Sequence, residues 1–148
     1  MRLALLLLLA AGCAHKQIPG PFHVAGAASS KDAEQAMALA EAGVRLYPDS
    51  ALRFGGEIYL APDIDACCGF KTPEPDGVLH YAGCVYNRIC VLWPHPKLPP
   101  DADLTRSALP HEMGHIVLPL CSEAQAEEIG RKIVEDYKAH IFDGLRFK

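Results

Sequence analysis

The sequence predicts a small α+β domain, because helical and strand-like hydrophobic patterns occupy different parts of its 148 residues. Apolar residues recur every three or four positions at residues 33–47 and 126–137, which is the period of helices that bury one face. Short apolar runs lie between them, bounded by Gly, Pro and Asp, as is typical of β-strands. We expect a short, mainly antiparallel sheet with an N-terminal helix, a second helix at residues 108–118 and a C-terminal helix.

The first helix is expected to begin near Ser30, which can act as an N-cap. Asp32 and Glu34 would lie in its first turn, where acidic side chains interact favourably with the helix dipole. Pro48 is expected to end the helix. Its buried stripe is predicted to contain Ala33, Met37, Ala40, Val44 and Tyr47.

Three segments have the composition of strands. The first covers residues 53–60 and is interrupted by Gly55-Gly56, which predicts a bend or bulge. The others are residues 78–82 and 88–93, connected by a loop at 83–87. Because residues 88–93 are apolar on both faces, we expect that strand to be central or buried.

The most informative stretch is His111-Glu112-Met113-Gly114-His115, which has the pattern HExxH. Residues four apart lie on the same face of a helix, so His111 and His115 can bind one metal ion together. Glu112 is then placed to act as a general base beside that metal. The pattern therefore predicts a zinc site with Glu112 as the catalytic residue.

Two prolines set the limits of the helix that carries this motif. If Ser107 is the N-cap, Pro110 falls in the first turn, where its missing N–H is not needed. Pro119 disfavours helical geometry in the preceding residue and ends the helix near Leu118. Ser122 and Gln125 then form a capping-box pattern that begins the final helix, at residues 123–139.

A catalytic zinc site commonly has three protein ligands, and the third is open on the sequence alone. Cys121 follows His115 closely, while Glu123 and Glu127 border the buried stripe of the next helix. If the two helices are antiparallel, Glu127 falls near the level of the metal and Glu123 near the turn. The candidates are thus Glu123, Glu127 and Cys121.

The HEMGH motif resembles that of zincin metallopeptidases. Glu123-Ala-Gln-Ala126-Glu127 is similar to the Glu-x-x-Ala-Asp pattern of some gluzincins, with Glu in place of Asp. A metzincin pattern fits poorly, because Leu118 and Cys121 occupy its Gly and third His positions. The resemblance implies a compact gluzincin-like domain over residues 30–148, with Glu123 as ligand and Glu127 orienting a histidine.

The same resemblance implies hydrolysis of peptide bonds in a peptide or protein substrate by a zinc-activated water, with Zn²⁺ as the cofactor. Glu112 would take the proton of the water and pass it to the leaving amine. The alternative is a non-catalytic zinc-binding protein or a structural envelope lipoprotein.

The N-terminus has the pattern of an export signal. A charged start, Met1-Arg2, precedes an apolar run at residues 3–11 that is too short to span a bilayer. Gly12-Cys13 then resembles a bacterial lipoprotein signal, which implies a signal peptide at residues 1–12 and lipid on Cys13. Residues 13–29 are expected to be a flexible linker, because they are rich in Gly, Ala, Pro and Ser.

This resemblance implies a location in the bacterial cell envelope, with the membrane as a partner through the lipid. Ala14 after the cysteine favours the outer membrane. The alternative is an ordinary secreted protein cleaved near Ala11 or Ala14. Either outcome exports the domain.

The net charge bears on the partners of the protein, and the cysteine content agrees with export. The net charge is −4 without a basic cluster, so nucleic acid is not expected as a partner. Five cysteines besides Cys13 allow two disulfides with one thiol left over. The adjacent pair is expected to reach different partners, because a bond between neighbours is strained. The five are Cys67, Cys68, Cys84, Cys90 and Cys121.

Replacement of Cys13 tests the lipid anchor. We predict that Cys13→Ser releases the protein from membranes, because no acyl chain can then be attached. Cell fractionation with immunodetection measures this, and Cys121→Ser, which keeps the lipidation site, serves as a matched control. A Cys13→Ser protein that still fractionates with membranes would contradict the assignment.

Overall fold

The computed structural model of the chain describes residues 22–26, 28–63, 65–68, 83–85 and 88–146, so residues 1–12 and Cys13 lie outside it. The fold is α+β, as predicted, and none of the helices described is both long and apolar enough to cross a membrane. The strands are β1 (Phe22–Gly26), β2 (Gly56–Ala61), β3 (Gly83–Val85) and β4 (Ile89–Leu92). The helices are α1 (Ser30–Leu46), α2 (Asp65–Cys68), α3 (Leu109–Val117) and α4 (Glu123–Arg146), with 3-10 turns at Ala51–Phe54 and Leu104–Arg106.

The four strands form one mixed sheet in the order β1-β2-β4-β3. The antiparallel pairing that we expected is found between β3 and β4, whereas the pairs β1–β2 and β2–β4 are parallel. The parallel pairing of β1 with β2 has a topological cause. Helix α1 carries the chain from the end of β1 back to the start of β2, and such a crossover makes consecutive strands parallel.

Strand β1 lies within the segment that we expected to be linker. Its pairing with β2 brings Phe22 into the core and Gly26 opposite Leu60. A Cβ at Gly26 would come 2.0 Å from the carbonyl oxygen of Leu60, so only glycine fits there. The Gly- and Ala-rich composition concealed a strand whose partner is distant in sequence, and the ordered domain begins before residue 30.

Two other expectations change locally. Residues 53–54, expected as strand, belong to a 3-10 turn, and Gly55 and Gly56 have positive φ angles of 69° and 143° that carry the chain into β2. Residues 83–85, expected as a loop, form β3, while residues 78–82 lie outside the described residues. The prediction for β4 is confirmed, because it is central, between β2 and β3.

A single hydrophobic core joins the helices to the sheet. Ala126, Ile133 and Tyr137 of α4 are buried as predicted. On α1, Ala40 is buried as predicted, but the other buried residues are Ala36, Leu39, Ala42 and Gly43. Met37, Val44 and the C-cap Tyr47, also predicted, are half-buried at the border of the core. The fully buried large side chains include Leu39, Leu52, Ile58, Leu60, Ile89, Leu104, Leu109, Met113 and Ile133.

The cysteines beside the sheet pair as expected. Cys67 is joined to Cys90 and Cys68 to Cys84, with Cα–Cα distances of 6.2 and 5.9 Å, while Cys121 is free. The two bonds fasten α2 to β4 and β3. The sulfur atoms of Cys68, Cys84 and Cys90 also lie within 4.8 Å of one another, a spacing that a metal ion could share.

Counting thiols separates disulfides from a metal–cysteine cluster. In a Cys13→Ser chain unfolded without reductant, we predict one reactive thiol, because only Cys121 is unpaired. Adding Cys121→Ser should reduce the count to zero. Replacing Cys68 and Cys84 with Ser should lower the free energy of unfolding by about 2–5 kcal/mol in urea denaturation. Five reactive thiols, with metal released on unfolding, would contradict the disulfides.

Candidate metal centre

The start of α3 is built around Pro110. The Ser107 hydroxyl accepts a hydrogen bond from the backbone N–H of Leu109 at 3.1 Å and donates to the carbonyl oxygen of Leu104 at 2.7 Å. The N-cap itself is Ala108, one residue later than predicted, and Pro110 lies in the first turn. The helix therefore begins just before His111 and continues through the HExxH motif without a kink.

The turn after α3 starts α4 through the predicted capping box. The backbone N–H of Gln125 donates to the Ser122 hydroxyl at 3.2 Å, and the Gln125 side chain accepts from the backbone N–H of Ser122 at 2.9 Å. The two reciprocal bonds fix the first turn of α4. Glu123 and Glu127, four residues apart, then lie on one side of it.

Two glycines let α3 and α4 pack backbone to backbone. A Cβ on Gly114 would lie 2.4 Å from the carbonyl oxygen of Ala126. A Cβ on Gly130 would lie 2.8 Å from the carbonyl group of Pro110. No side chain fits at either position without separating the helices. This close approach brings the acids of α4 within reach of the histidines of α3.

Three side chains converge on one point between these helices. The Nε2 atoms of His111 and His115 are 3.1 Å apart, and the Glu123 carboxylate lies 2.8 Å from the first and 3.4 Å from the second. Ligand atoms about 2 Å from a tetrahedral zinc ion lie roughly 3.3 Å from one another. The three separations bracket that distance, so the donor set has the spacing of a metal site.

The other ring nitrogens have partners of their own. The Nδ1 atom of His111 lies 3.1 Å from the Glu127 carboxylate, and the Nδ1 atom of His115 lies 3.5 Å from the sulfur of Cys121. Such contacts fix the orientation of a ligand ring. Of the three candidates for the third ligand, Glu123 joins the convergent group, while Glu127 and Cys121 hold the histidines from behind.

Glu112 lies beside this group without belonging to it and is only 8% exposed. Burial raises the pKa of Glu112 to about 7, the negative charge of Glu123 adds to the rise, and the nearby His111 ring opposes it. On the sheet side it is covered by Gly83, where a Cβ would come 3.0 Å from the Glu112 carboxylate oxygen Oε1. Gly83 therefore leaves room for the carboxylate.

The acidic side chains around His111 favour the protonated form of its ring. Burial of the ring lowers the pKa of His111, but hydrogen bonding to Glu127 and the charges of Glu112 and Glu123 outweigh it, so the pKa is raised. The metal-free centre thus favours a cation at this position. A divalent metal ion satisfies the same preference with a larger charge.

The site opens into a cleft of about 460 Å³. His95 lines it, and the Nδ1 atom of His95 accepts a hydrogen bond from the backbone N–H of Lys97 at 3.1 Å. That bond leaves Nε2 of the neutral ring as an N–H donor. The cleft is lined by Gly83, His95, Leu98, Arg106, Ser107, Ala108, His111, Glu112, Glu123 and Glu127.

Arg106 and Gly83 are cleft residues that the sequence did not reveal. Arg106 ends a 3-10 turn whose first residue, Leu104, is buried and donates its backbone N–H to the Gln35 side chain at 2.8 Å. Its nearness to the HExxH motif in the chain is the one signal that could have identified it. Gly83 comes from β3 and carries no sequence signal at all.

Comparisons of the chain with protein-family models, with curated proteins and with solved structures each found no match. The arguments for a function therefore come from the side chains of the cleft and from the sequence motifs.

Removal of the two acids one at a time tests the ligand assignment. We predict one zinc ion per chain and the largest loss of affinity for Glu123→Ala, because Glu123 alone of the two acids reaches the convergence point. Glu127→Ala should weaken binding by about 10- to 100-fold, as expected for a residue that orients a ligand. Competition with a chromophoric chelator measures both affinities.

Two variants control this experiment. Glu128→Ala removes an exposed acid that pairs with Arg131 on another side of α4 and should leave zinc affinity unchanged. Cys121→Ser should lower affinity modestly at most, because its sulfur lies near Nδ1 of His115 and the carbonyl oxygen of Gly114 and not in the convergent group. Retention of zinc in Glu123→Ala together with its loss in Cys121→Ser would assign the third ligand to Cys121 instead.

Proposed function

We propose that this protein is a zinc-dependent metallopeptidase anchored in the bacterial cell envelope by lipid on Cys13. The observation that carries the proposal is the convergence of His111, His115 and Glu123 beside a buried Glu112 at the edge of an open cleft. A site that only held the fold together would not need a carboxylate buried next to it. The anchor rests on the Gly12-Cys13 signal.

The donor set favours zinc over other common cations. Two imidazole nitrogens and one carboxylate suit zinc, whereas calcium and magnesium prefer oxygen ligands throughout. Three protein ligands leave a coordination position open, as catalytic sites require. Zinc at such a site supplies Lewis acidity and makes water a nucleophile near neutral pH.

Glu112 is suited to move the proton in this reaction. It is buried beside the convergent group and lines the cleft, where it can reach a water molecule near the metal ligands. Glu112 would accept a proton as water oxygen attacks the peptide carbonyl carbon. It would return the proton to the amine nitrogen as the C–N bond breaks.

His95 and Arg106 are placed to hold the peptide. Both line the cleft beside His111, and the N–H group at Nε2 of His95 can donate to a carbonyl oxygen as negative charge develops on it. The Arg106 guanidinium can donate to a second carbonyl group or to a carboxylate. These are the only cleft-lining residues among those described, apart from His111, that offer a nitrogen donor on the side chain.

One observation favours the alternative of a zinc-binding protein without peptidase activity. The Glu123 and Glu127 side chains are 81% and 76% exposed, so the metal would lie near the surface, where it can be exchanged. Zinc capture or transfer requires that property, but it makes no use of the buried Glu112. The role of Glu112 therefore distinguishes the two functions.

Glu112→Gln tests the catalytic proposal. We predict that the variant keeps its zinc, because Glu112 is outside the convergent group, and that it loses hydrolysis by a factor of about 10²–10⁴. Zinc is measured by mass spectrometry and activity with a mixed library of fluorogenic peptides. Glu135→Gln, on the exposed face of α4, is the matched control and should retain activity.

Two results would contradict the proposal. Equal activity of Glu112→Gln and the wild type would exclude Glu112 as the general base. A zinc-loaded wild-type protein that cleaves no member of the library would favour the zinc-binding alternative.

A further inference from the structure

Leu120, in the turn between α3 and α4, has two features that are unfavourable for the stability of the domain. Its side chain is fully exposed, and its backbone has a φ of 62°, in the left-handed region where glycine or asparagine is favoured. Glycine at this position would avoid both the backbone strain and the exposed apolar surface. Neither feature stabilises the isolated domain, so a role for the side chain has to be sought in contacts outside it.

Leu120 belongs to a larger group of exposed apolar side chains. Among the described residues, six large hydrophobic side chains are exposed, and five of them lie around the C-terminal end of α3. We call these five the apolar end; its members are Leu46, Phe54, Val85, Leu118 and Leu120. They come from four separate segments of the chain, so the clustering is a property of the fold.

Strand register and shared cavities place these residues together. Val85 pairs with Ile89, at the start of β4, and lines one cavity with Phe22 and Ile116. Leu46, the last residue of α1, lines another cavity with Val117. Leu118 follows Val117 directly, and Leu120 lies two residues further along the chain.

Phe54 completes the group, since it comes just before Gly55 and Gly56, which line the same cavity as Phe22. Next to it, the Arg53 guanidinium stacks on the Phe54 ring at 4.7 Å from its centre. Aromatic and basic side chains of this kind favour the interface between lipid headgroups and acyl chains.

The N-terminal segment enters the domain at this same end. Phe22, the first residue of β1, lies beside Val85 and Ile116. Only residues 14–21 separate it from Cys13, and fully extended they reach about 30 Å. If Cys13 carries lipid, as proposed above, the chain that leads to the lipid leaves the domain at the apolar end.

We propose that the apolar end inserts into the membrane interface, so that the domain itself contacts the lipid in addition to the anchor. Helix α3 runs from the cleft residues Ala108 and His111 at its start to Leu118 after its end. Docking through the apolar end therefore places the start of α3, where the cleft opens, on the side away from the bilayer, while His115 and Glu123 lie nearer to it. Substrate would reach the metal centre from the aqueous side.

Fluorescence quenching by lipid tests this contact. The full chain, as cells mature it, is prepared as Leu118→Trp and, for the matched control at the cleft end, as Lys97→Trp. Each is reconstituted with phosphatidylethanolamine–phosphatidylglycerol vesicles whose acyl chains carry bromine. The native Trp93 is buried and contributes the same background to both. We expect a blue shift and quenching for Leu118→Trp and neither for Lys97→Trp.

Equal quenching at both positions, or none at either, would overturn the proposal. A blue shift of Leu118→Trp that grows with protein concentration without lipid would overturn it in favour of contact with a second copy. None of these readouts depends on hydrolysis. A negative result in the quenching experiment therefore does not affect the peptidase proposal. Likewise, unchanged activity of Glu112→Gln would not affect the proposal that the apolar end contacts the membrane.

Leu120→Gly separates a docking role from a structural one. Combined with Leu118→Trp, it should weaken the quenching while the thermal midpoint stays the same or rises, because glycine relieves the left-handed conformation. A lower thermal midpoint would show that Leu120 stabilises the domain instead, and would overturn its assignment to the membrane surface.

Discussion

The close approach of α3 and α4 is the constraint on which the metal centre depends. Gly114 and Gly130 allow the two backbones to touch, and any side chain at either position would push the helices apart. At the observed spacing the Glu123 carboxylate reaches both histidines, with distances of 2.8 and 3.4 Å to their Nε2 atoms. Separating the helices would draw the Glu123 carboxylate away from the histidines, so the metal centre depends on these small residues as well as on the ligands.

Around this helix pair, the rest of the domain limits the access of water to Glu112 and fixes the orientation of the histidine rings. The sheet covers Glu112 through Gly83 and keeps it out of water, which raises the pKa of Glu112 to about 7. Glu127 contacts the Nδ1 atom of His111, and Cys121 contacts the Nδ1 atom of His115. The disulfides that fasten α2 to β3 and β4 stabilise the strand that carries Gly83. Local chemistry at the centre thus depends on elements from most of the described chain.

The surface around the start of α3 is polar and the surface around its end is apolar, so the domain has two chemically different sides. The polar cleft opens at the start of the helix, while the apolar end surrounds its last residues and the entry point of the N-terminal segment. A lipid on Cys13 and an apolar surface near Phe22 would act on the same face of the domain. The proposed peptidase would then be held at the bilayer with its cleft directed outward.

Local patterns in the sequence identified α1, α3 and the start of α4, because caps, prolines and apolar periodicity act within one or two turns, but they did not predict α2 or the extension of α4 beyond residue 139. Pro110, the Ser122–Gln125 box and the histidine pair were predicted correctly on this basis. Only the tertiary structure decided the parallel pairing of β1 with β2, the cysteine partners and the position of Glu123 against both histidines. These depend on contacts between segments far apart in the chain, and no local pattern encodes which distant surfaces meet or at what spacing.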